Sequence, residues 1–135
     1  MNILFICSRN QWRSPTAEEI YKAHNHYNVK SAGTEPSARI KVTAKLIRWA
    51  DIIFAMEKRH KQRIVQNFPS DTDTKRIVVL DIPDEYQYMD EELIETIKLS
   101  VEPYLDNAKK ADHKPLLSSK PDSLSAIFNP YTLFA

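Results

Sequence analysis

The chain has a single glycine, Gly33, among its 135 residues. That excludes the glycine-rich loops that cradle nucleotides, which need several glycines for the backbone to approach phosphate closely. It also has a single cysteine, Cys7, so an internal disulfide is impossible. A lone thiol fits a reducing compartment, and the expected location is cytoplasmic. No apolar run reaches the length of a membrane span. The opening MNILFIC lacks a charged leader and a small-residue cleavage site, so neither a signal peptide nor a membrane partner is expected. Charge of neither sign dominates: 19 Lys and Arg against 18 Asp and Glu leave a formal net charge of +1. Without a Lys/Arg block, nucleic acid is not an expected partner. The basic residues between Arg39 and Arg48 read as the solvated face of a helix. His24, His26, His60 and His113 have no metal-ligand spacing and are expected at the surface or at interfaces. No metal and no cofactor is implied.

What remains is an ordinary soluble composition, 42% hydrophobic and 27% charged, in a chain long enough for one core. NILFI, residues 2–6, is a short apolar run of the kind found in buried parallel strands. Ser14 followed by Pro15 predicts a helix start with serine at the N-cap, and Ala17, Ile20, Tyr21 and His24 carry the helical spacing to about His26. YNVKSA predicts a second strand ending at Gly33. Thr43 is placed to cap a short helix carrying Leu46, Ile47 and Trp49. DIIFAM predicts a third strand, followed by a helix from Lys58 to about Asn67 with Ile64 and Phe68 inward. RIVVL predicts a fourth strand. The loop DIPDEYQYM then leads to a helix from Asp90, with Leu93, Ile97 and Val101 on one stripe and Pro103 expected to kink or end it.

Strand and helix alternate four times, which predicts an α/β fold: a three-layer sandwich around a four-stranded parallel sheet, flavodoxin-like in topology. Ligands of such sheets sit beyond the carboxyl ends of the strands, where Cys7 and Asp81 fall. From about Asp106 the periodicity is lost. The expected organisation is one domain over residues 1–105 and a C-terminal extension over 106–135, whose role and effect on oligomeric state the composition does not identify.

The informative segment is Cys7-Ser8-Arg9-Asn10-Gln11-Trp12-Arg13-Ser14, lying between a strand and a helix start. A loop of this length can turn its successive backbone N–H groups inward as an anion-binding nest, reinforced by the helix N-terminus. Ser8, Arg9, Asn10, Gln11, Trp12, Arg13 and Ser14 are therefore the expected phosphate-binding set. A cysteine at the base of that cradle experiences the same field, which favours the attacking thiolate. Arg13 can grip two phosphate oxygens with its planar guanidinium, and Ser14 can donate to the sulfur. A lone cysteine is ordinarily a buried structural thiol and an arginine at a helix start an ordinary surface residue. The spacing, the strand-loop-helix setting and Ser14-Pro15 together favour the chemical reading.

CSRNQWRSPTAE resembles the phosphate-binding loop of the low-molecular-weight protein tyrosine phosphatases. SAGT at residues 31–34 and ADIIFAME at residues 50–57 resemble that family's second- and third-strand segments, and the similarity runs through roughly residues 1–105. The resemblance implies that family's topology and a metal-independent hydrolysis of phosphate monoesters through a phosphocysteine on Cys7. Arg13 becomes the phosphate ligand, Asn10 and Ser31 the supports of the loop, and a phosphorylated protein or a small phosphate ester the substrate, with phosphotyrosine first. The family's general acid is the aspartate of an Asp-Pro-Tyr segment. Here the corresponding stretch is Pro83-Asp84-Glu85-Tyr86, so Asp84 is the first candidate and Asp81 the alternative. Trp12 and Tyr86 are expected on the substrate rim, and Tyr88 in packing between loops. The stretch between SAGT and ADIIFAME is shorter than in the family, which implies a shallower cleft wall, and Trp12 stands where the family has a second loop cysteine.

Three other functions share parts of this pattern. An arsenate reductase relays electrons through further cysteines, which this chain lacks. A phosphocysteine carrier has no use for both an arginine clamp and an acid loop. A phosphate-binding module would not need the nucleophile.

Overall fold

The structure, a computed structural model, describes residues 1–112. The remainder of the expected extension, His113 included, lies outside the described residues. Met1–Val101 forms one compact unit. Its elements are β1 (Asn2–Cys7), α1 (Arg13–Tyr21), β2 (Asn28–Gly33), α2 (Ala44–Trp49), β3 (Ile52–Ala55), α3 (Lys58–Asn67), α4 (Pro69–Thr72), β4 (Arg76–Val79) and the start of α5 (Glu91–Asp112).

The four strands form one parallel sheet in the order β2-β1-β3-β4. The central strands are the most apolar: Ile3–Cys7 and Ile52–Ala55 are buried throughout. Side chains alternate between faces. Leu4, Ile6 and Ile53 therefore enter a core with Ile47 of α2, Ala50 at its C-terminal end and Ile64 of α3. Phe5 faces the other way and stacks on Tyr21 of α1 and on Phe54, at centroid distances of 6.0 and 5.4 Å. Truncating a ring as enclosed as Phe5 costs about 3–5 kcal/mol, so this stack holds α1 against the sheet. The chain leaves β1 for β2 on one side and returns past it to β3. The switch between β1 and β3 places a crevice at the carboxyl end of β1, where Cys7 stands.

The α/β fold and the four parallel strands match the sequence-based expectation, with differences at the ends. α1 stops at Tyr21 rather than near His26, because Lys22–His26 are exposed and bury no further face. Ser14 does not cap it. The N-cap is Trp12, which makes no side-chain cap bond, and Ser14 lies inside the first turn with its hydroxyl used elsewhere. Thr43 caps α2 as expected, its oxygen accepting the Leu46 N–H. Asp90 caps α5 by accepting the N–H groups of Glu92 and Leu93. That helix continues past Pro103 to Asp112, so the proline does not end it and residue 105 falls within a helix. Proline in a helix removes one backbone hydrogen bond, and the long apolar stripe through Leu93, Ile97 and Val101 offsets that loss. No helix among the described residues is long and apolar enough to cross a membrane.

Candidate active site

The loop between β1 and α1 is built with glycine at neither its first nor its third position. Asn10 takes the left-handed turn instead, at φ 57°, a conformation asparagine tolerates better than most residues. Its side chain is buried and its Nδ2 donates to both Ser14 Oγ and Ser31 Oγ at 2.9 Å. Ser31 Oγ in turn donates to Glu18 Oε1. Arg39 fixes the loop from outside, its Nε donating to the Asn10 carbonyl at 3.1 Å. Arg39 lies outside α2, so it is a loop tether rather than part of a helix face. The carbonyls of Cys7 and Ser8 accept from Thr34 and Glu35. The N–H groups of Arg9, Gln11 and Trp12 meet no carbonyl in the loop hydrogen bonds of the described residues.

The one glycine supports this loop from below. A Cβ on Gly33 would lie 2.5 Å from the Ser8 carbonyl oxygen and 2.6 Å from the Ala38 Cβ. Nothing larger fits while the loop keeps this path, because the obstruction is largely backbone.

Cys7 Sγ lies 2.9 Å from Ser14 Oγ and accepts the Asn10 N–H at 3.3 Å. With the sulfur as thiolate, Ser14 is the donor, since Asn10 Nδ2 already donates to its oxygen. The sulfur opens on a cleft of about 420 Å³ whose loop-side wall is Ser8, Arg9, Gln11, Trp12 and Arg13. Glu35, Ser37, Arg59 and Asp84 complete its lining. The Arg13 side chain is buried. Its Nη1 donates to Glu57 Oε2 at 2.6 Å and to the Ile82 carbonyl at 2.8 Å, while Nε faces Asp84 Oδ1 at 3.7 Å.

The structure separates the two candidate acids in space. Asp84 is half exposed and borders the cleft that holds Cys7. Asp81 takes a left-handed backbone at φ 58° and borders a different cavity, with Lys58, Lys61, Val65 and Val79. Trp12 stands at the cleft with 42% of its surface exposed. Tyr86 is not brought to the cleft wall, and its hydroxyl donates to Glu92 Oε2 at 3.4 Å beside α5. Tyr88 reaches Glu19 of α1 at 3.5 Å.

Three functional neighbours were not expected from the sequence: Glu57, Arg59 and His60. All sit just past the carboxyl end of β3, where a parallel sheet gathers its ligand residues, and that position was the available signal. Burial alone would raise the Glu57 carboxyl, but hydrogen bonds from Arg59 and Arg13 outweigh it and hold the carboxyl below its ordinary value. His60 corrects the surface expectation for the histidines, being buried under the loop. Its Nδ1 accepts the Glu57 N–H at 3.0 Å, so the ring proton sits on Nε2 and is donated to Ser8 Oγ at 2.9 Å. Burial, reinforced by the charges of Arg13 and Arg59, lowers its pKa from 6.5 to about 4.

That shift has a sign for stability. The unfolded histidine binds a proton below about pH 6.5, whereas the folded one resists until about pH 4. The stabilisation is therefore complete above pH 6.5 and lost as pH falls through that window, by about 3 kcal/mol at most. Thermal midpoints measured from pH 7 to 4 are expected to fall more steeply for the wild type than for His60→Gln; parallel curves would remove this role.

Residues 2–47 match the family model described as low molecular weight phosphotyrosine protein phosphatase. A curated relative, the protein-arginine-phosphatase of Bacillus subtilis, is 30% identical in a match covering 50% of this chain. The chain spans 63% of that relative's length. Among solved structures, an arginine phosphatase from Geobacillus stearothermophilus superimposes with a TM-score of 0.60 at 22% identity, covering 84% of this chain and 97% of that one. A low molecular weight protein tyrosine phosphatase from Streptococcus pyogenes superimposes with a TM-score of 0.67 at 17% identity, covering 83% and 97%. At these identities the structural matches speak for the fold.

Proposed function

We propose that the chain acts as a member of the low-molecular-weight phosphotyrosine protein phosphatase family, whose model its residues 2–47 match, and that it hydrolyses phosphorylated protein side chains through a phosphocysteine on Cys7. The observation that carries this reading is the sulfur lining a cleft, hydrogen-bonded by Ser14 and by the Asn10 amide, with Asp84 lining the same cleft. The loop amides and Arg13 bind the phosphate oxygens and offset the charge that spreads over them during in-line transfer. The Cys7 thiolate attacks phosphorus as the bond to the leaving group breaks. Asp84, protonated, gives its proton to that leaving atom. Water then attacks the phosphocysteine, Asp84 takes its proton, and phosphate leaves with the thiolate restored. Metal plays no part in these steps, since Arg13 and the amides carry the positive field.

Phosphotyrosine is the leading substrate, supported by the exposed Trp12 ring at the cleft, which can pack against an aromatic leaving group. Phosphoarginine is the second reading. It rests on the protein-arginine-phosphatase relative. The test is phosphate release from matched phosphotyrosine and phosphoarginine peptides in the presence of a chelator. Release from the first by at least about tenfold in kcat/KM, a margin of about 1.4 kcal/mol, supports the leading reading; the reverse order transfers it to phosphoarginine.

A further inference from the structure

One carboxylate, Glu57, holds two arginines at once. Its Oε2 accepts Arg13 Nη1 and its Oε1 accepts Arg59 Nε, both at 2.6 Å. Arg13 is buried by this arrangement, whereas Arg59 keeps about half its surface exposed and borders the cleft. Binding through Nε fixes the plane of the Arg59 guanidinium and leaves its two terminal amino groups without an acceptor among the described residues. Arg9 borders the same cleft, exposed, with no side-chain partner among the described residues. The two carboxylates lining the cleft each pair with another arginine, Glu35 at 3.6 Å from Arg63 and Asp84 at 3.7 Å from Arg13, and act on Arg59 only through space. A phosphate bound by the loop would engage Arg13 and leave the donors of Arg9 and Arg59 unfilled.

The geometry points to a second anion subsite at the cleft mouth, formed by Arg59 and Arg9, that reads an additional anionic group on the same substrate. This rests on the phosphatase reading and adds to it a preference for phosphorylated side chains with a carboxylate or a second phosphate nearby. Glu57 is the positioning residue of this subsite, since it sets the Arg59 plane. The fork of Arg59 can meet either oxyanion with paired hydrogen bonds, which a lysine could not reproduce.

The test uses three phosphotyrosine peptides of equal length whose neighbouring residues are glutamine, glutamate or phosphoserine. The same series is built around phosphoarginine if that proves the better substrate. For the wild type at low salt, kcat/KM for the glutamate or phosphoserine peptide is expected to exceed that for the glutamine peptide about tenfold, chiefly through KM, as one charge-assisted pair allows. Arg59→Gln should reduce that ratio to about twofold, and Arg59→Lys should leave it between the two. The arm that keeps the larger ratio identifies carboxylate or phosphate as the group read. A ratio near one in the wild type, or an undiminished ratio in Arg59→Gln, overturns the subsite while leaving the hydrolase intact. Should Arg59→Gln fail to fold, the ratio in Arg59→Lys decides: unchanged, it overturns the subsite. Absence of turnover by the wild type on every peptide and on p-nitrophenyl phosphate would instead overturn the phosphatase reading, and the subsite with it.

Discussion

Cys7→Ser is expected to lower turnover of p-nitrophenyl phosphate by at least about 10³-fold while leaving inorganic phosphate binding largely intact. The two halves of this expectation come from different parts of the site. In the proposed mechanism, binding falls to the loop amides and to Arg13, whose hydrogen bonds run to Glu57 and Ile82 and do not touch the sulfur. Attack in that mechanism falls to the sulfur alone. A serine hydroxyl in its place is not ionised at neutral pH, and no base lies among its hydrogen-bond partners, which are Ser14 and the Asn10 amide. Turnover retained by the serine variant would end the covalent account. Lost phosphate binding would mean that the sulfur holds the loop together.

Asp84→Asn is expected to cost about 10²-fold in turnover, and Asp81→Asn much less, because a positioned acid contributes on that scale only where it reaches the leaving atom. Asp84 borders the cleft with Cys7, and Asp81 borders a separate cavity beside α3. An asparagine at Asp84 keeps the size of the side chain but can neither give the proton in the first step nor take it in the second. A larger loss at Asp81 would reassign the acid.

The central sheet was legible because β1 and β3 are buried on both faces, which leaves uninterrupted apolar runs such as NILFI and DIIFAM. The loop was legible because a cysteine and an arginine at fixed spacing between strand and helix have few other uses. Ser14-Pro15 misled at the helix start: a serine before proline reads as a cap, but the loop draws that hydroxyl to the sulfur and the helix begins two residues earlier. α4 at Pro69–Thr72 is a single turn with no apolar period to announce it. Glu57 and His60 escaped notice because their roles depend on contacts with Arg13 and Ser8, 44 and 52 residues away in sequence. Tyr86 lies two residues from Asp84, yet the chain turns its hydroxyl to Glu92 instead of the cleft.

Asp84→Asn also gives the most direct test of the covalent step. p-Nitrophenolate leaves without needing a proton, so the first transfer survives in this variant, while hydrolysis of the phosphocysteine loses its base. Rapid acid quenching followed by peptide mass analysis is expected to show a burst of p-nitrophenolate and phosphate on the peptide bearing Cys7. A burst with phosphate on another residue, or turnover with no phosphorylated enzyme at any time, would contradict the account.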